Sequence, residues 1–199
     1  MVDARVIARL GLGLIVALLP AAAHAQTVVE LRGSTTRYRF VDLNHTFTRG
    51  LFLDLLYLGA PGSNELYAGG GWSFKPAQGV TLTPIVYAVG AHDNDERGLA
   101  LCASLFVDRG GWRVLGFGGR FLRASGDVPD YTFLDSLDVT HVIAGKWELG
   151  VSAGFLRIGD DWNELIGGTL KRNDKRGATA LAVRGGYKTE LRLIRTLVF

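Results

Sequence analysis

The residues of this 199-residue sequence that could carry chemistry fall into three groups. They are scattered histidines and serines, a short acidic loop, and charged side chains spaced among apolar ones. A nucleophilic mechanism needs a hydroxyl and a base within hydrogen-bond reach of each other. Past the N-terminal segment the histidines are His45, His92 and His141, and the candidate hydroxyls are Ser136 and Ser152. None of these serines has an obvious base, and no G-x-S-x-G occurs. His92, Asp93, Asn94, Asp95 and Glu96 form a polar loop whose oxygens suit a divalent cation, yet the spacing is not that of a calcium loop. The solvated-loop reading is preferred, and no metal or other cofactor is expected. Gly69-Gly70-Gly71 and Gly116-Phe117-Gly118-Gly119 open no helix, so they are not read as phosphate loops. The lone Cys102 has no partner and is read as inert.

The charged set is more informative. Asp138, Lys146, Glu148, Arg184, Glu190 and Arg192 lie within alternating apolar and polar stretches, with Asp54 as a further member. If those stretches are strands, the set shares the polar face. Such charges line a water-filled path and set its ion preference, or they pair and fill a narrow interior. Both signs are present, so no strong preference for anions or cations follows.

Strands are what the rest of the sequence supplies. From Trp147 to Phe155, the residues Trp147, Leu149, Val151, Ala153 and Phe155 fall on one face; Glu148, Gly150, Ser152 and Gly154 fall on the other. Leu66–Phe74 and Leu99–Val107 repeat the pattern. Turn signals recur at short spacing, among them Pro61-Gly62-Ser63-Asn64, Pro76-Ala77-Gln78-Gly79, Asp108-Arg109-Gly110-Gly111 and Gly159-Asp160-Asp161. Gly33-Ser34 and Gly185-Gly186 are read as turns as well. The 27 glycines, well above the usual ~7%, fit many turns and close strand approaches. With 48% hydrophobic and 21% charged residues, the chain is not disordered; one Cys excludes a disulfide scaffold. A net charge of +3 is too even to argue for nucleic acid.

The N-terminus reads as an address. Arg5 and Arg9 precede the apolar run Leu10–Leu19, then come Pro20 and the small residues of Ala23-His24-Ala25. Residues 1–25 are therefore expected to be a cleaved signal peptide, and residues 26–199 a single domain. Alternation alone leaves two solutions: a soluble barrel or sandwich with its apolar face inward, and a membrane barrel with that face outward. Three features favour the second. Strands of about 10 to 12 residues are long enough to cross a bilayer on a tilt. Tyr57, Trp72, Trp112, Tyr131, Trp147, Trp162 and Tyr187 cluster near strand ends, where amphipathic rings meet headgroups. The third is the C-terminus: Phe199, preceded at alternate positions by Leu197, Arg195, Leu193 and Leu191.

That last strand resembles the C-terminal strand of small Gram-negative outer-membrane β-barrel proteins, with Arg195 departing from the apolar pattern. The resemblance covers about ten residues and implies an outer-membrane location, contact with membrane lipid and lipopolysaccharide, and recognition of the strand by the barrel-assembly machinery. The expected fold is all-β, a closed antiparallel transmembrane β-barrel of about 12 strands. It becomes 10 if residues 27–32 form no strand and Gly186 lies within one. Pro84, inside a strand, is expected at an edge or bulge. The leading functional expectation is a passive pore or channel for small solutes. The alternatives are a structural or assembly-partner barrel with a plugged lumen, a lipid-modifying enzyme of the outer membrane, and a soluble periplasmic β-barrel that binds an apolar ligand.

Overall fold

A computed structural model describes residues 25–91 and 95–199. Residues 1–24 of the expected signal peptide, and His92, Asp93 and Asn94 of the polar loop, lie outside the described residues.

Period-two alternation punctuated by turn residues builds a succession of antiparallel strands. They are β1 (Gln26–Ser34), β2 (Arg39–Thr46), β3 (Leu51–Ala60), β4 (Ser63–Trp72), β5 (Phe74–Ala77), β6 (Val80–Ala91) and β7 (Arg97–Arg109). β8 (Trp112–Ser125), β9 (Tyr131–Ala144), β10 (Trp147–Ile158), β11 (Asp161–Asp174), β12 (Gly177–Gly186) and β13 (Glu190–Val198) complete the set. Each strand pairs with its sequence neighbours, except that β4 and β5 do not pair with each other, and β1 pairs with β13 from Val28↔Val198 to Ser34↔Arg192. Thr27 N donates to Phe199 O at 3.1 Å and Phe199 N to Thr27 O at 2.9 Å, so the seam is sealed to the last residue. β5 continues β4 beyond Ser73, and both pair with β6. The result is a closed 12-strand antiparallel barrel. Closure leaves no open sheet edge, the condition that any strand assembly in hydrocarbon has to meet.

Residues 27–32 do form the first strand, which settles the count at twelve. Two turns move outward from their expected places. β1 runs through Gly33-Ser34 and turns at 35–38, while β12 runs through Gly185-Gly186 and turns at 187–189. The chain termini share one rim, here called the terminal rim; the other is the far rim. Connections 47–50, 78–79, 110–111, 145–146 and 175–176 lie at the terminal rim, and the remaining ones at the far rim.

Pro84 sits within β6, opposite Ala103 of β7. On its other side the ladder skips: Gly71 pairs with Ile85, Phe74 with Leu82, and nothing pairs with Pro84. A residue without an N–H is accommodated where the neighbouring strand breaks at Ser73. Ser73 finds substitutes, its N–H donating to Gly50 O at 2.7 Å and its hydroxyl lying 2.8 Å from Thr83 Oγ1. Gly71 permits the contact, since a Cβ there would lie 1.9 Å from Pro84 O.

The second irregularity has the larger consequence. Phe117 pairs with Ser136 but Gly118 pairs with Leu134; Ala153 pairs with Leu137 but Phe155 with Leu134. β9 thus carries an extra residue against both neighbours, a β-bulge at Asp135–Ser136. Both of these side chains turn inward, and the alternation inverts across the bulge.

Candidate functional site: the lumen

Outside, the wall is greasy. Leu99, Leu101, Leu149, Val151, Ile166, Leu181, Val183 and Leu193 are all exposed. Trp72, Trp112, Trp147, Trp162, Tyr57 and Tyr187 are exposed near the strand ends, and Trp162 stacks on Phe155 at 4.5 Å. Tyr131 departs from the expected girdle. The β9 bulge reverses its face, and it stacks inside on Phe121 with centroids 4.8 Å apart.

Inside, the barrel is divided lengthwise. The half bounded by β2 to β8 is filled by Phe40, Phe52, Leu56, Tyr67, Ile85, Tyr87, Val89, Ala100, Cys102 and Phe121. Its polar edges are partly satisfied: Tyr67 Oη donates to Glu65 Oε2 at 2.5 Å and lies 3.0 Å from Tyr131 Oη, and Tyr87 Oη donates to Asp54, whose Oδ1 has no hydrogen-bond partner among the described residues. This apolar filling departs from the uniformly polar interior expected from alternation. It arises because the inward positions of these strands are themselves aromatic or aliphatic.

The other half, walled by β9 to β13 and β1, carries the charge. Glu148, at 0% exposure, accepts from Thr140 Oγ1 at 2.7 Å, from Arg113 and from Asn173, and has Lys171 Nζ at 3.7 Å. Arg184 pairs with Glu190, and Arg192 Nη2 lies 3.4 Å from Glu190 Oε1. Arg32 pairs with Glu30, whose Oε2 also accepts from Thr196 at 3.0 Å. Asp138 lines the same half, one Oδ1 lacking a hydrogen-bond partner among the described residues. Asp54 is buried against the apolar half. Lys146 is the one of the expected set that lies off the inner wall. It occupies the exposed β9–β10 turn, one residue short of β10, because the strand begins at Trp147.

One group crosses the lumen. In ring order β9 stands five strands from β1, close to diametrically opposite. Asp135 of β9 nevertheless pairs with Arg32 of β1, accepts from Tyr38 Oη of the β1–β2 turn at 2.9 Å, and lies 3.5 Å from Arg192 Nη1 of β13. Arg184 Nη1 also donates to its backbone oxygen at 3.4 Å. The bridge separates two cavities. The larger, about 490 Å³, reaches the far rim past Pro61, Val128 and Lys188 and includes Asp135 in its lining. The smaller, about 60 Å³, lies toward the terminal rim beside Arg113, Lys171 and Thr196 and includes Arg32.

Asp135, Arg32, Glu30 and Tyr38 were absent from the sequence-derived set. Counting by twos from Asp138 places Asp135 outward, and only the bulge brings it in. Glu30 and Arg32, two apart on the first strand, were legible in principle from their shared parity.

The histidines and serines are dispersed. His45 Nδ1 lies 2.8 Å from Thr27 Oγ1 at the terminal rim, and His141 packs on Trp112 outside at 4.6 Å. Ser136 Oγ is buried without a partner among the described residues, and Ser152 faces the interior.

Closed barrel, greasy exterior and charged interior together invite comparison with solved structures. The chain matches that of the KdgM porin with a TM-score of 0.64 at 11% identity, over 87% of this chain and 99% of that one. The fold is porin-like. A second KdgM structure, in complex with disordered oligogalacturonate, matches at 0.62 and 11% identity over 87% and 98% of the two chains. The NanC porin matches at 0.59 and 9% identity, over 86% and 98%. No family model matches the sequence, and no curated protein matches it.

Proposed function

We propose that this chain is an outer-membrane, porin-like barrel that conducts small solutes through the charged half of its lumen. The observation that carries the reading is the inside-out distribution of side chains around two interior cavities, with buried Arg32, Arg184, Glu190 and Arg192 on the walls. Ionised groups are buried only where partners or water compensate them. The porin-like fold of the KdgM and NanC neighbours supports the same reading. In this picture the terminal rim faces the periplasm, the far rim faces outward, and the outer wall contacts membrane lipid and lipopolysaccharide. β13, ending in exposed Phe199, is the segment offered to the assembly machinery.

A second reading is favoured by one specific feature, the Asp135 bridge: a structural barrel whose lumen is closed by its own ion pairs. Two measurements separate the readings. Membrane fractionation with a heat-modifiable gel shift tests the barrel, which fails if the protein is soluble and insensitive to heat. Planar-bilayer recording and liposome swelling, with oligogalacturonate among the solutes, test conduction. Repeated insertions without current select the structural barrel.

A further inference from the structure

We propose that Asp135 is the latch of this lumen: a single bulge-borne carboxylate that spans the barrel, holds the two cavities apart and offsets the arginines that would otherwise select anions. The inference rests on the pore reading above and names the residue that sets its conductance and selectivity.

The other close ion pairs of the charged half join residues on the same or nearby strands. Arg32 pairs with Glu30 two residues away, Arg184 with Glu190 across a hairpin, and Arg192 with Glu190 two residues away. These pairs decorate one wall and leave the lumen open. Among the described residues, Asp135 alone pairs with that cluster from the opposite wall, where it meets guanidiniums from β1 and β13. Its position depends on the extra residue in β9, which turns Asp135 and Ser136 inward together.

The charge count shows what the latch conceals. At the partition Arg32, Arg184 and Arg192 face Glu30, Glu190 and Asp135. Remove the charge of Asp135 and the three arginines keep two carboxylates. Arg192 already has spare capacity, its Nε being buried without a partner among the described residues. An anion descending from the larger cavity competes with Asp135 for these donors, whereas a cation meets them as a barrier. Asp138 supplies the contrast: a second carboxyl group, on the wall of the smaller cavity beside Arg32 and Glu30, that makes no ion pair in the bridge.

The experiment is single-channel recording in a salt gradient on the full chain and on Asp135→Asn, Arg32→Gln and Asp138→Asn. Each is first shown to be a folded barrel by its heat-modifiable migration. Asp135→Asn is expected to raise unitary conductance severalfold and to shift the reversal potential toward anions. Arg32→Gln, which cuts the bridge from the other wall, is expected to raise conductance with a shift toward cations. Asp138→Asn, which removes one carboxylate from the wall of the smaller cavity but breaks no ion pair of the bridge, is expected to change conductance far less than Asp135→Asn. Parent-like conductance in Asp135→Asn, or an equal rise in Asp138→Asn, overturns the latch while leaving the pore intact. Silence in every protein overturns the pore reading and the latch with it. If Asp135→Asn does not fold, Arg32→Gln decides: parent-like conductance there overturns the proposal.

Discussion

Val151 and Ser152 are neighbours in β10 that face opposite worlds: Val151 is 53% exposed on the outer wall and Ser152 2% exposed within. Val151 lies near the middle of its strand, where hydrocarbon is thickest in a membrane-embedded barrel. Val151→Arg is expected to destabilise the barrel in lipid vesicles by about 2–4 kcal/mol, the cost of a cation at the midplane of a lipid-facing wall. Guanidinium unfolding in vesicles reads this, with Ser152→Ala as the inward control. An unchanged midpoint for Val151→Arg means that the outer wall does not contact hydrocarbon.

Glu148 is enclosed by Thr140, Asn173, Arg113 and Lys171. Glu148→Ala takes an acidic partner from Lys171 and leaves Arg113 with Asp108, and both cations reach partly into water, with side-chain exposures of 29% for Arg113 and 25% for Lys171. The cost is therefore expected to fall below that of breaking a fully buried pair, at about 2 kcal/mol. The same unfolding assay checks it. A loss within error indicates that the cluster is already hydrated.

Gly71 and Pro84 approach each other so closely that a Cβ on the glycine would overlap a carbonyl oxygen of the backbone. Gly71→Ala is expected to cost about 1–3 kcal/mol, the range for an overpacked site. Gly90, where an added Cβ meets nothing within 4 Å, serves as the comparison and should tolerate Ala in the same assay.

Glu96 precedes β7 at the far rim. Burial, with a further contribution from the nearby Glu65 carboxylate, raises its pKa above the usual carboxylate range. An acid raised by folding opposes folding when ionised, so its penalty is absent at low pH and develops as pH rises through the folded-state value. Glu96→Gln is expected to stabilise the barrel at pH 8 and to change nothing at pH 4. The difference in unfolding midpoints between the two conditions tests the sign, and a larger effect at the acid end refutes it.

Phe199 contributes two backbone hydrogen bonds to the seam while its ring stands exposed. Its deletion is expected to cost the purified barrel only about 1–2 kcal/mol, the worth of two ordinary hydrogen bonds. In cells the expected effect is much larger, because the ring is proposed to be read during assembly. The folded fraction in membranes, compared with refolding in detergent, separates the two.

Much of this architecture was open to a reader of the sequence. Clean alternation in β7, β10 and β13 sorted the residues into two faces, and the glycine, asparagine and aspartate turns brought the strand count to twelve or ten. The lumen was legible only where the alternation ran undisturbed. Glu148, Glu190 and Arg192 follow from parity, whereas Asp135 and Tyr131 do not. A single inserted residue in β9 inverts every position beyond it, and no residue type in Leu134-Asp135-Ser136 announces the insertion. The apolar half was missed for another reason. Phe52, Ile85 and Tyr87 are as greasy as the residues opposite them on the outer wall, so hydropathy cannot assign their side. Lys146 was misplaced by one position, the margin by which a hairpin turn differs from the strand it begins.

The hairpins deserve a last consequence. The turns at 61–62, 78–79, 110–111, 145–146, 159–160 and 175–176 are two residues each. Peptide bonds so tightly held offer endoproteases little slack to thread through a cleft, and they give an antibody scarcely any protruding relief to grasp. Four of these six turns lie at the terminal rim, so proteolysis from that side is expected to leave the barrel intact.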